Sequence, residues 1–243
     1  MNSTTLQAHD VHIKHHDITI LKNIDIAIST NQIVAIMGPS GVGKSSLLNI
    51  LNGQKTPDQG EVTWQETPLT QYPKPYPFGI LFQNNALLLH LSVYDNVALA
   101  LRYQKVDEQQ IKKQVTERLE EVGLAEHSQL YPEQLSGGMA RRVAIARATI
   151  AKPKMMFFDE PFSGLDPPNT LSTASLIKKV NQSLGASTVI VTHEPDTALD
   201  LADYIYLLHG DSIYTHGTPK QILQNKDPLV KQFISPNLSE EIN

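Results

Sequence analysis

The segment Gly38-Pro39-Ser40-Gly41-Val42-Gly43-Lys44-Ser45 restricts the fold more than any other part of the chain. A glycine, four residues and then Gly-Lys-Ser make a phosphate cradle only where a strand enters and a helix leaves. Both neighbours are present. Ile33-Val34-Ala35-Ile36-Met37 is a continuous apolar run of the kind carried by a strand buried on both faces. From Lys44 to Asn52 the apolar positions Leu47, Leu48, Ile50 and Leu51 mark a helix, with Gly53 placed to stop it. Glycines at 38, 41 and 43 let the backbone curl so that successive N–H groups converge, and the helix N-terminus adds partial positive charge. Such a concavity suits a polyphosphate, with Lys44 reaching the terminal phosphates and the Ser45 hydroxyl placed to ligate Mg²⁺. A glycine-rich turn that ends in Gly-Lys-Ser by chance leaves the flanking strand and helix unexplained. The implied ligand is a nucleoside triphosphate.

A cradle of this kind belongs in an α/β domain, and 243 residues, 40% of them hydrophobic, suffice for one domain with a small second lobe. The net charge of −5 comes without a dense Lys/Arg block, so no nucleic-acid partner is expected. The chain has no cysteine, which removes disulfides and cysteine-ligated zinc together. No apolar run approaches the ~18 residues that a membrane-spanning helix needs. Met1-Asn2-Ser3-Thr4-Thr5 lacks the basic and apolar segments of a signal peptide, so the chain is expected to stay in the cytoplasm.

Ahead of the cradle, residues 11–35 read as short strands. Ile18, Ile20, Ile24, Ile26 and Ile28 alternate with polar residues, as in a half-buried antiparallel sheet. Pro57-Asp58-Gln59-Gly60 makes a turn into the strand Glu61-Val62-Thr63-Trp64, and a proline-rich loop leads to the apolar strand Gly79-Ile80-Leu81-Phe82-Gln83. The texture of 84–150 is helical. Ser92 and Asp107 are placed as helix caps, and Ile111, Val115, Leu119 and Val122 form one apolar stripe. Strands resume at Met155-Met156-Phe157-Phe158 and Thr188-Val189-Ile190-Val191-Thr192, followed by a hairpin around His209-Gly210-Asp211. Thr218-Pro219 starts a further helix, and the polar tail at 236–243 is expected to be loose.

Two more segments bear on phosphate chemistry. Met155 to Phe158 deliver Asp159 and Glu160 at the end of a buried strand, the first suited to the Mg²⁺ shell and the second to polarising a water. In Leu135-Ser136-Gly137-Gly138-Met139, Ser136 can cap a helix whose paired glycines leave the first N–H groups uncovered, a second anion site. As an ordinary capped helix it would keep two glycines costing ~1 kcal/mol each for no return.

In their order, Gly38–Ser45, Gln83, Leu135–Met139, Met155–Glu160, Ser163-Gly164-Leu165-Asp166 and His193 resemble the motifs of an ABC transporter ATP-binding subunit across essentially the whole chain. The resemblance implies a P-loop NTPase (RecA-like) α/β core formed by 1–83 and 151–235, with an antiparallel β subdomain. It also implies an inserted α-helical subdomain at 84–150. ATP and Mg²⁺ are the implied cofactors. Gly38, Ser40, Gly41, Gly43, Lys44, Ser45 and Ser46 would hold nucleotide, and Ser45, Gln83 and Asp159 the metal. Glu160 is the implied general base, His193 a contact to γ-phosphate and water, and Gln83 a link from the site to the helical lobe. Ser136, Gly137 and Gly138 would close on ATP held by a second copy in a head-to-tail, ATP-dependent homodimer, with Asp166 in the loop joining the two sites. Two positions depart from the family pattern. Met139 replaces the usual glutamine, and His15 stands where an aromatic ring normally stacks on adenine. His12, His15 and His16 cluster in sequence, but no carboxylate group completes a metal site there.

Within that family, Leu135-Ser136-Gly137-Gly138-Met139-Ala140-Arg141-Arg142 resembles the signature of the ATPase of the bacterial maintenance-of-lipid-asymmetry system. Leu81–Leu87, Asp95–Ala98, Asp159–Gly164 and Asp227–Phe233 resemble it as well. This implies an integral membrane permease partner, a periplasmic or membrane lipid-binding protein, and a peripheral position on the cytoplasmic side of the inner membrane. Amino-acid, metal-oxyanion or lipoprotein transport stays open, as does a soluble ATPase of iron–sulfur assembly.

Overall fold

The computed structural model describes residues 4–16 and 18–234, so the tail expected at 236–243 lies outside the described residues. In chain order the elements are β1 (Thr4–His15), β2 (Ile18–Ser29), β3 (Ile33–Met37), α1 (Lys44–Leu51), β4 (Gln59–Trp64), β5 (Thr67–Pro68) and β6 (Phe78–Leu81). Then come α2 (Val93–Tyr103), α3 (Glu108–Glu121), α4 (Gly137–Thr149), β7 (Met155–Asp159), α5 (Pro167–Leu184) and β8 (Ser187–Thr192). The last are α6 (Pro195–Leu201), β9 (Tyr204–His209), β10 (Ser212–Gly217), α7 (Pro219–Leu223) and α8 (Pro228–Ile234). These form two compact units, one from Met1–Tyr76 with Ser187–Asn243 and one from Pro77–Ala186. The segment 84–150, helical by sequence, falls within the second.

The first unit holds an antiparallel sheet in the order β2-β1-β4-β5 and the strands β10-β9-β3-β8. In the latter β3 runs parallel to both neighbours, β8 and β9. That interior position is why all five residues of Ile33–Met37 are buried and apolar. The strands expected as short pieces of 11–35 are instead two long ones of 12 residues each, starting at Thr4. The expected inward alternation also fails at its start, since Ile18 is 68% exposed. Leu21 takes the inward place opposite Ile13, and Ile24 follows opposite Val11. Lys22 and Asn23 on β2 thus face His12 alone on β1, a bulge at Asn23, whose φ of +51° lies in the left-handed region. From Ile24 through Ile26 to Ile28 the alternation then holds.

Side chains join the strand groups of this unit. The Tyr206 hydroxyl accepts from the Ala27 N–H at 3.1 Å and donates to the Ala27 carbonyl at 3.2 Å. Its burial raises the phenol pKa. The Ser187 hydroxyl similarly accepts from Asn31 N and donates to Ser29 O.

In the second unit β6 and β7 pair in parallel, from Phe78 opposite Met155 to Leu81 opposite Phe158. The helices begin where the sequence places caps. Ser92 caps α2 by accepting from Asp95 N, and its hydroxyl also donates to the Asp95 carboxylate at 2.6 Å. That bond, with Arg102 at 2.8 Å, holds the Asp95 carboxyl below its usual range. Asp107 caps α3 through Gln109 N and Gln110 N. The stripe Ile111, Val115, Leu119 and Val122 is core, none of the four above 3% exposed. In α4 the successive residues Val143, Ala144, Ile145 and Ala146 are all buried, so this turn of the helix is enclosed on every side.

Candidate functional site

In the first unit the register pairs Met37 of β3 with Thr192 of β8, so Gly38 and His193 leave the same end of adjacent parallel strands. Ligands of open α/β sheets bind beyond such carboxyl ends. Gly43 caps α1 with φ +101°, and a Cβ there would stand 2.8 Å from Cγ2 of Ile20. Conformation and space both demand glycine at 43. Lys44 is 6% exposed, and its Nζ donates to the carbonyls of Gly38 at 2.9 Å and Pro39 at 3.1 Å. The ammonium is therefore fixed against the loop that it closes. Ser40 and Gly41 lie exposed on the rim, while Ser45 and Ser46 are half-buried in the first turn of α1. His193 is exposed, and the chain turns after it through a bond from Glu194 N to the Thr192 hydroxyl. His15 is exposed at the end of β1, its ring edge-to-face with His16 at 4.5 Å. Among the described residues no group of three His, Cys, Asp or Glu side chains could hold a metal, and His12 is bonded to Asp10 at 3.0 Å.

In the second unit, pairing of Leu81 with Phe158 sends Gln83, Asp159 and Glu160 off the same end of β6 and β7. Gln83 is exposed and Asp159 half-buried, whereas Glu160 is 7% exposed. Glu160 has φ +46° and precedes Pro161. A left-handed backbone is costly for a non-glycine residue, and more so before proline. The turn that holds it is closed by Ser163 N donating to Glu160 O at 3.2 Å and anchored by the fully buried Phe162. Strain held in place this way marks a side chain whose aim matters. Asp159, Gln83 and Ser45 offer carboxylate, amide and hydroxyl oxygens, the hard donors that Mg²⁺ takes.

The same unit carries the helix that opens on Gly137 and Gly138. The Ser136 hydroxyl accepts from Met139 N at 3.2 Å, so Met139, at the departure from the usual glutamine, completes the cap with its main chain. Asp166 caps α5 in the same manner through Asn169 N at 2.9 Å. A Cβ on Gly138 would come within 2.8 Å of the Asn169 side-chain oxygen, so the starts of α4 and α5 lie against each other. Gly137 is different. It is exposed, and a Cβ there would meet nothing within 4 Å.

Two arginines of α4 touch these loops; Arg141 falls within the stretch Leu135–Arg142, but nothing in the sequence gave either residue a role. Arg141, 4% exposed, donates to the carbonyls of Gln83 at 3.1 Å and Ser163 at 3.3 Å, with Phe82 O at 3.5 Å. Burial pushes its guanidinium below its ordinary value. Arg147 donates to the carbonyls of Asn85, at 2.7 Å, and Ala86. The signal was Arg141 and Arg147 on either side of the apolar run Val143-Ala144-Ile145-Ala146, where a helix turn buried all round leaves little solvent for a cation.

Comparison with known proteins agrees with this geometry. Residues 21–163 match the ABC transporter family. The chain is 37% identical over 96% of its length to the intermembrane phospholipid transport system ATP-binding protein MlaF of Haemophilus influenzae, covering 91% of that protein. It is 38% identical to the MlaF protein of Escherichia coli K12 over 93% of this chain and 86% of that one. The spermidine/putrescine import ATP-binding protein PotA of Vibrio cholerae is 37% identical, but the chain spans 58% of it. Among solved structures, the dimeric cassette MJ0796 bound to ADP and Pi superposes with a TM-score of 0.80 at 29% identity, over 88% of this chain and 98% of that one. The cbiO1 protein of Clostridium perfringens, part of an ABC transporter complex, gives 0.85 at 27% identity over 99% and 98%. With a phosphate cradle, a strand-end carboxylate pair and a serine-capped helix that opens on two glycines in the α/β fold of these cassettes, the chain belongs to the ABC transporter family and is one of its nucleotide-binding ATPases.

Proposed function

We propose that the chain is the ATP-hydrolysing subunit of a transporter that moves phospholipid across a Gram-negative envelope through a membrane permease. The observation that carries this reading is the likeness to MlaF proteins along nearly the full length of both chains. In this reading 1–83 and 151–235 form the nucleotide-binding core and 84–150 the signature-bearing helical subdomain. Gly38, Ser40, Gly41, Gly43, Lys44, Ser45 and Ser46 hold the triphosphate, and His15 presents a flat ring to the adenine. Bound Mg²⁺ offsets phosphate charge, with Ser45, Gln83 and Asp159 as its oxygen donors. Glu160 takes a proton from the attacking water, which Gln83 and His193 orient, His193 also contacting the γ-phosphate.

Ser136, Gly137 and Gly138 act on nucleotide held by a second copy, in a head-to-tail dimer that ATP completes, and Asp166 lies in the loop linking the two sites. What supports this is Gly137. Among the described residues nothing outside its own helix lies within 4 Å of a Cβ placed there, which leaves room for a group from outside. Gly137→Ala is expected to leave the fold intact and raise stability by up to ~1 kcal/mol, since alanine is the better helix former. It is also expected to lower ATP turnover at least about tenfold, the scale of one lost transition-state contact of 1.4 kcal/mol. Thermal melting and steady-state hydrolysis measured together check this, and unchanged turnover would count against the shared site.

Around Gln83 the segment exposes Phe82, Leu88 and Leu89, the last 60% exposed, and this apolar edge suits an integral membrane permease. No helix among the described residues is long and apolar enough to cross a membrane. In this reading the permease holds the subunit at the cytoplasmic side of the inner membrane. A periplasmic or membrane lipid-binding protein completes the complex. Isolation from membranes under mild detergent should recover a multi-span permease and a lipid-binding protein, and the recovered complex should transfer labelled phospholipid only with MgATP. Recovery of soluble iron–sulfur assembly proteins instead would overturn the reading.

A further inference from the structure

Residues 82–86 and 160–163 are separate loops, yet a single buried side chain reaches both. Arg141 donates through one terminal nitrogen to Gln83 O at 3.1 Å and through the other to Ser163 O at 3.3 Å. Ser163 in turn closes the turn that keeps Glu160 at φ +46°. Two turns further along α4, Arg147 holds the carbonyls of Asn85 and Ala86. Those two residues have φ +61° and +47°, consecutive left-handed conformations, tolerated by the asparagine but costly for the alanine. Both strained segments are thus held by arginines of the helix that begins at Ser136.

Simple packing does not account for Arg141. It is 4% exposed, no carboxylate pairs with it among the described residues, and its Nε has no partner. A buried cation facing only main-chain carbonyls is a poor stabilising device. What a guanidinium offers over any neutral side chain is a rigid planar fork that spans two acceptors at a set separation.

We propose that Arg141 is a positioning residue for hydrolysis, supported by Arg147, fixing the Gln83 loop and the Glu160 turn to the signature helix. This rests on the roles given above to Gln83 and Glu160. Displacement of Gln83, of Glu160 and of the Ser136–Gly138 helix start then becomes one motion, because α4 carries the tie to each. The bonds of Arg141 given above all run to loops of its own unit that carry Gln83 and Glu160, so the expected effect is on hydrolysis rather than on nucleotide affinity.

The test is steady-state hydrolysis by the full-length chain carrying Arg141→Met, Arg141→Lys or Arg147→Met, assayed well below each variant's melting temperature. Arg141→Met is expected to lower kcat by about ten- to a hundredfold, the cost of misplacing catalytic groups by up to ~1 Å, with KM for MgATP within about twofold. Arg141→Lys keeps the charge but not the fork, and is expected to recover little of the loss. Arg147→Met is expected to lower kcat in the same direction, and it stands in should Arg141→Met fail to fold. A lowered melting temperature with wild-type kcat would reduce Arg141 to a structural residue and overturn the proposal. So would a raised KM at unchanged kcat, or full recovery by lysine. Glu160→Gln run alongside separates the two levels of inference. If it retains turnover, the catalytic reading has failed; if it abolishes turnover while the arginine variants do not, only the positioning role has.

Discussion

Glu160→Gln is expected to cut ATP turnover by about 10²–10⁴-fold, the usual contribution of a positioned general base, while MgATP binding is kept. The substitution replaces one carboxylate oxygen with an amide nitrogen of equal size. It therefore preserves the volume of a side chain that is 7% exposed, and leaves the left-handed backbone before Pro161 under the same constraint. Geometry stays and basicity goes. The cradle, built from Gly38 to Ser46 in the other unit, is unaltered, so binding and hydrolysis should separate cleanly. The variant saturated with MgATP is then expected to accumulate as a dimer on gel filtration, because the nucleotide that joins two copies is no longer consumed. Wild-type turnover by this variant would remove Glu160 from the chemistry.

The second large effect is expected from Lys44→Ala, and it acts on binding. Lys44 is 6% exposed, and its ammonium is bonded to the carbonyls of Gly38 and Pro39, which poses it at the loop. A hydrogen bond to a charged group contributes about 1.5–3 kcal/mol, so losing the contact to the terminal phosphates should weaken ATP binding by about 10–150-fold. Two loop carbonyls also lose their donor, which should cost about 1–3 kcal/mol of stability. Equilibrium binding of ATP and of adenosine separates these causes. Loss of the phosphate contact alone weakens ATP and spares adenosine, whereas a collapsed loop weakens both. Unchanged affinity for ATP would contradict the role given to the lysine.

The parts of the fold that the residues made legible are those fixed by local chemistry. Ser92, Asp107 and Ser136 cap helices because a short polar side chain can reach an N–H two or three residues on, whatever lies elsewhere. Ile33–Met37 reads as an interior strand since only burial on both faces tolerates five apolar residues in a row. Ile18 shows where such reading stops. Its apolar character and spacing place it inward, but a bulge at Asn23 shifts the phase and gives the place to Leu21. That bulge is set by pairing with β1, not by the residues around it. Arg141 escaped for the same reason. Its acceptors lie 58 and 22 positions away in sequence, and carbonyls carry no residue identity that a pattern could register. The left-handed backbone of Glu160 was hidden too, since proline after it argues for extended backbone.

The pairing of β3 has a consequence for biosynthesis. Its hydrogen-bonded neighbours are β8 and β9, and neither exists until residues 187–209 have been made. Translation at ~5–20 residues per second leaves the strand waiting on the order of ten to thirty seconds. Throughout that interval the nascent chain carries a wholly apolar strand with no neighbour, the kind of segment that joins other chains if left uncovered. Residues 77–186, contiguous in sequence, can meanwhile complete their own unit. The strand that leads into the cradle is translated early and acquires its flanking partners late, so a ribosome-associated chaperone has its longest task there.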